Sequence, residues 1–93
     1  MKSINDQGVM ALYADVQSVL DEALSLGVRA YELRPDSRLL GALPELDSQA
    51  VVNVLMGLEE KFGITIEDDD IDGDVFATLE SLTNLVARKT AGR

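Results

Sequence analysis

Two serines in this chain stand directly behind an aspartate, Ser37 after Asp36 and Ser48 after Asp47, and three aspartates alternate at Asp68, Asp70 and Asp72 ahead of Gly73. These are the side chains whose types and spacing offer chemistry. The sequence has neither histidine nor cysteine. General acid or base work near neutral pH therefore has no ready carrier except a shifted carboxylate, and any reactive thiol has to arrive on a prosthetic group. The chain is not expected to be an enzyme.

The residues downstream of each serine separate the two pairs. At Ser48, a loop containing Gly41 and Pro44 gives way to about four turns of apolar-periodic sequence ending at Phe62-Gly63, which places Asp47-Ser48 at a helix start. There the two side chains ordinarily cap the helix, accepting from backbone N–H groups that have no intrahelical partner. The same N–H groups and the positive end of the helix dipole also stabilise an anion, so a phosphodiester on the Ser48 hydroxyl would be well placed. Behind Ser37, only Arg38-Leu39-Leu40 precede Gly41. No helix long enough to orient such a group comes next, and Asp36 and Ser37 read as turn residues.

The acidic run Glu67-Asp68-Asp69-Asp70-Ile71-Asp72-Gly73-Asp74 holds six carboxylates in eight residues. Asp68, Asp70 and Asp72 with Gly73 match the first half of an EF-hand calcium loop. The twelfth position is Leu79, with Glu80 one residue too late, and Ile64 to Glu67 reads as extended where the motif needs a helix. No tight metal site is expected, although loosely held divalent cations would relieve the mutual repulsion. A calcium-binding helical module using these three aspartates is the rival reading, and an unmodified helical interaction domain in which Ser48 only caps is a second.

The elements that must position these groups are helical. Val9, Leu12, Tyr13, Val16, Val19, Leu20, Ala23 and Leu26 recur at steps of three and four, predicting a first helix over about 6–26 with Asp6 as N-cap and Gly27 as stop. A loop comes next over 27–46, whose Leu33, Leu39, Leu40, Leu43 and Leu46 are expected to dip into the core while Arg29, Arg34 and Arg38 stay in water. The second helix covers about 47–62. On a wheel of about 100° per residue its Val51, Val54, Leu55, Leu58 and Phe62 form the core face, and Gln49, Val52, Asn53, Met56, Glu59 and Glu60 the other. Either a loop leucine covers Val52 and Met56, or they form a docking strip leading away from Ser48. Ile64-Thr65-Ile66 crosses the bundle extended, and Thr78 caps a last helix over about 78–89 through Leu79, Leu82, Leu85 and Val86, with 90–93 frayed.

Composition narrows the partners. Ninety-three residues with 46% hydrophobic content and 4% aromatics make a single domain, 1–93, with an aliphatic core and no base-stacking surface. A net charge of −9 repels phosphate backbones and attracts basic protein surfaces, so nucleic acid is excluded and enzymes with Lys/Arg patches are expected. The N-terminal residues lack the apolar run of a signal peptide and no window approaches a membrane span, which reads as a cytoplasmic monomer without membrane insertion.

Leu46-Asp47-Ser48, with Val52 and Val54-Leu55-Met56-Gly57-Leu58-Glu59-Glu60-Lys61-Phe62-Gly63-Ile64, resembles the acyl and peptidyl carrier proteins, and the likeness extends from about Leu12 to Val86. It implies an all-α, four-helix acyl-carrier-like bundle with three longer helices, a long first loop and a short third helix at 72–76, capped by Asp72 and burying Phe76. It also implies 4′-phosphopantetheine, taken from coenzyme A, on Ser48, with Asp47 capping the helix and aiding recognition by a phosphopantetheinyl transferase. An acyl-loading ligase or synthase and acyltransferase-type enzymes would then use Gln49, Val52, Met56, Glu59 and Glu60 as a docking face, and the arm would hold its cargo as a thioester. More narrowly, Leu39-Leu40-Gly41-Ala42-Leu43-Pro44-Glu45-Leu46-Asp47-Ser48 looks like the stand-alone carriers associated with exosortase gene clusters. Gln49, where the common pattern has a bulky apolar residue, and Ala50 and Asn53, where carboxylates are frequent, depart from it and point to dedicated partners.

Overall fold

A computed structural model describes residues 2–91, with side chains over 11–91. Four α-helices make up the fold, α1 (Lys2–Leu24), α2 (Val28–Tyr31), α3 (Ser48–Phe62) and α4 (Leu79–Ala91), with one 3₁₀ turn at Asp68–Asp70. There is no strand among the described residues, and one isolated antiparallel bridge joins Arg38 to Thr78. The helix α1 is the common support, packing against α2, α3 and α4.

The apolar stripe predicted for α1 is the face it buries, with Val16, Val19, Leu20 and Leu24 inward. Its ends differ from expectation. The backbone is already helical at Lys2, so Asp6 lies within the helix and does not cap it; its side chain is outside the described residues. The helix stops at Leu24, where Ser25 takes a left-handed φ of 57° and its N–H donates to Asp21 O at 2.7 Å. Gly27 instead opens α2, and its N–H donates to Asp21 Oδ1 at 2.8 Å.

The segment expected to be all loop thus contains one helical turn, too short to leave a periodic signal. Beyond it, Leu39 N–H donates to Ala77 O at 3.0 Å and Leu40 N–H to Phe76 O at 2.9 Å. Side chains alternate along such an extended stretch. Leu39 is therefore fully buried while Leu40 is 49% exposed, against the expectation that it dips inward. Leu43 and Leu46 are buried as expected. A fully buried leucine is worth about 1.5–3 kcal/mol, so Leu39, Leu43 and Leu46 fix the path of the loop up to Ser48.

The short helix expected at 72–76 is not formed. Asp72 Oδ1 accepts from Asp74 N–H at 2.9 Å, and Val75 N–H and Ala77 N–H donate to Asp72 O and Asp74 O at 3.3 and 3.1 Å, giving successive turns. An aspartate that bonds its neighbouring backbone competes with helix, and Gly73 adds a residue with little helical preference. Val75 and Phe76 are buried nonetheless, as part of a core that includes Val54, Leu58, Leu79, Leu82, Leu85 and Val86. The last helix continues through Thr90 and Ala91, beyond the expected end at 89, and 92–93 lie outside the described residues.

Candidate functional site

The helix α3 begins at Ser48 because Asp47 ends the loop in an extended conformation, and its Oδ1 accepts from Ala50 N–H at 2.8 Å. Val51 N–H donates to Asp47 O at 2.9 Å, the first turn of the ladder. The N–H groups of Ser48 and Gln49 find no acceptor among the described residues, and both residues are exposed. At the far end Gly63 takes φ 63°, ψ 40°, and its N–H and that of Ile64 both go to Glu59 O, which closes the helix.

The start of α4 provides the contrast. Leu79 N–H donates to Ser37 O at 3.1 Å, Glu80 N–H to Pro35 O at 2.8 Å and Ser81 N–H to Thr78 Oγ1 at 3.1 Å. The loop has sealed that terminus with its own carbonyls. Ser37, the rival attachment residue, supplies one of those carbonyls and accepts from Arg34 N–H through Oγ at 2.8 Å. Of the two Asp-Ser pairs, Asp47-Ser48 alone places a serine hydroxyl at a helix start with unsatisfied N–H groups beside it.

Three residues upstream of Ser48, Glu45 is paired with Arg29 of α2, Nη1 to Oε2 at 2.6 Å and Nη2 to Oε1 at 3.2 Å. The hydrogen bond from Arg29 holds the Glu45 carboxyl below the usual range, and the same contact raises the Arg29 guanidinium. Sequence reasoning left Arg29 in water. No local signal could have found the pair, because its partners lie 16 residues apart.

On the outward face of α3, Val52 is 47% and Met56 55% exposed, so no loop leucine covers them. Gln49 and Glu60 are exposed as well. Glu59 differs: it is half-buried, and its Oε2 accepts from Ile66 N–H at 2.8 Å, tying down the extended segment after the helix. On the inward face, Val54 and Leu58 are buried.

The acidic run is not gathered into a cation site. Asp70 Oδ2 accepts from Glu67 N–H at 2.8 Å and pairs with Lys89 Nζ at 2.9 Å, while Asp72 is engaged with Asp74 N–H. Two of the three carboxylates of the calcium reading are thus spent on holding turns, and among the described residues no group of three or more ligand-type side chains converges on a metal position.

The small helical bundle thus leaves the Ser48 hydroxyl and two unsatisfied N–H groups open at the start of α3, an arrangement that can accommodate an anionic group. No protein-family model matches the chain. Curated relatives do. It is 38% identical over 76 residues to the acyl carrier protein of Helicobacter pylori strain 26695, spanning 76% of this chain and 94% of that protein. It is likewise 38% identical over 78 residues to the acyl carrier protein of a Sulfurovum species, spanning 78% of this chain and 100% of that one. Among solved structures, the solution structure of a holo acyl carrier protein from Nitrosomonas europaea superposes with a TM-score of 0.79 at 46% identity, covering 86% of this chain and 95% of that one.

The chain belongs to the acyl carrier protein family. Members are carriers and not enzymes, they work with acyl-handling enzymes, and a phosphopantetheine prosthetic group goes with membership. No helix among the described residues is long and apolar enough to cross a membrane.

Proposed function

We propose that this chain carries an acyl intermediate as a thioester on a 4′-phosphopantetheine arm esterified to Ser48. The observation that supports the reading most is the open start of α3, with Ser48 exposed and the N–H groups of Ser48 and Gln49 unsatisfied beside it. A phosphodiester at this position gains donors and the favourable end of the helix dipole. Asp47, already used as the cap through Oδ1, keeps the serine at the first helical position. When attached, the arm supplies the thiol that the sequence lacks.

In this reading a phosphopantetheinyl transferase bonds the Ser48 oxygen to the phosphorus nearer the pantetheine of coenzyme A and releases the adenosine bisphosphate half. An acyl-loading ligase or synthase and acyltransferase-type enzymes then meet the face of α3 formed by Gln49, Val52, Met56 and Glu60, with Glu59 contributing more to structure than to contact. The departures at Gln49, Ala50 and Asn53 favour dedicated partners, the Leu39 to Ser48 segment favours a gene in an exosortase-type cluster, and the protein itself is read as cytoplasmic. Adjacent genes test that narrower assignment.

The decisive experiment is incubation with a broad-specificity transferase and coenzyme A, read by intact mass. One phosphopantetheinyl increment is expected on the wild-type chain and none on Ser48→Ala. An increment that survives Ser48→Ala, or none on the wild type, refutes the reading.

A further inference from the structure

Beside the outward face of α3, α1 and α3 enclose a groove of about 220 Å³. It is lined by the small residues Ala23 and Gly57 together with Val19; a Cβ built on Gly57 would stand 3.0 Å from Val19 Cγ1, so the two helices approach closely there. Met56, more than half exposed, forms one apolar wall. Glu22 of α1 and Glu60 of α3 stand on opposite sides, and neither makes an ion pair or a hydrogen bond among the described residues.

The two stretches run at helical steps, 19, 22 and 23 on α1 and 53, 56, 57 and 60 on α3, so the groove tracks the helices and does not merely separate two loops. At about 1.5 Å per residue it extends roughly 10 Å along α3, beginning about 7 Å from Ser48. An apolar floor with a carboxylate on each side, on a chain of net charge −9, is complementary to an apolar side chain flanked by Lys or Arg.

We infer that this α1/α3 groove is a docking notch for an acyl-handling enzyme, which seats one apolar side chain on Gly57, Ala23 and Met56 and places basic residues against Glu22 and Glu60. The identity of the occupant rests on the carrier reading; the groove and its charge do not. The consequence is that recognition extends from α3 onto α1, with Glu22 a specificity-determining residue that no α3-based docking strip contains.

The probe is a synthetic helical peptide with a single leucine flanked by arginines, titrated into the full ¹⁵N-labelled chain. Amide shifts are expected to concentrate at Val19, Glu22, Ala23, Met56 and Gly57, and Glu22→Lys with Glu60→Lys should weaken binding about tenfold or more, equivalent to about 1.4 kcal/mol. A charge-matched control double variant, Asp68→Lys with Asp69→Lys, should change affinity less than threefold, and replacing the peptide's leucine by serine should abolish the localised shifts. Shifts centred on 67–74, equal weakening by both double variants, or indifference to the leucine would overturn the proposal as plain attraction to an acidic chain. Because the titration does not involve Ser48, such a result leaves the mass-shift test of the carrier reading untouched, and a failed mass shift leaves the groove standing.

Discussion

Arg29 and Glu45 clasp each other through the two terminal guanidinium nitrogens, Nη1 and Nη2, and the clasp joins α2 to the loop three residues before Ser48. Arg29 is exposed and Glu45 only half-buried, so the pair is reached by solvent, screened by salt and adds little to global stability. Its effect is local. Arg29→Gln is expected to leave the melting temperature nearly unchanged, speed amide hydrogen exchange over 45–49, and move the Glu45 carboxyl up toward its ordinary range, the backbone hydrogen bond it accepts still holding it down. Unchanged exchange at those amides would remove the pair from any role in presenting the serine.

The second ion pair sets an acid limit. Asp70 is held below the usual carboxylate range, first by the Glu67 N–H and then by Lys89. A carboxyl whose folded value lies below its unfolded one contributes stability that is complete above the unfolded value, near 4, and is lost as pH falls through the folded value. Glu45 acts in the same direction. Carboxyl-detected NMR titration should find Asp70 titrating below an ordinary aspartate; Lys89→Met should move it up only part of the way, because the Glu67 N–H remains. A full return to the ordinary value would reverse that order of causes.

Thr83 is a buried hydroxyl on α4, 3% exposed, whose Oγ1 has no hydrogen-bond partner. Leaving such a group unpaired costs about 1–3 kcal/mol. Thr83→Val keeps the shape and removes the polar atom, and is expected to stabilise the fold by about 1 kcal/mol, raising the melting temperature by about 4–8 °C. A lower melting temperature would mean that the hydroxyl is satisfied in solution.

Asp47 has two separable attributes, a capping oxygen and a charge. Asp47→Ala should lower stability by about 1 kcal/mol in urea unfolding. Asp47→Asn retains the cap and should unfold like the wild type; a slower transferase reaction on that folded variant, measured by intact mass against time, would assign the charge to recognition. Equal rates would leave Asp47 a cap only.

The sequence carried the site better than the connections. Asp47, Ser48 and Gly63 act through neighbours within one or two turns, so their roles as cap, first helical residue and left-handed stop can be read from spacing. The α4 seam came from apolar pattern in the same way, whereas the burial of Phe76 was implied by the family resemblance. The features that stayed hidden depend on distant segments: Leu40 faces outward because its N–H meets Phe76 O, and Glu59 is engaged because its carboxylate reaches Ile66 N–H. The turns replacing a helix at 72–76 arise from one aspartate side chain bonding the backbone two residues on, a choice that apolar periodicity does not record.

The seam between residues 35–40 and 76–80 spans roughly forty positions of chain. A polypeptide ending before Phe76 and Ala77 has nothing for Leu39 and Leu40 to lie along, so the approach to the serine is assembled from both halves at once. On the carrier reading, esterification of Ser48 would accordingly wait until residues 76–77 are in place, and shorter products would be passed over without any separate proofreading device.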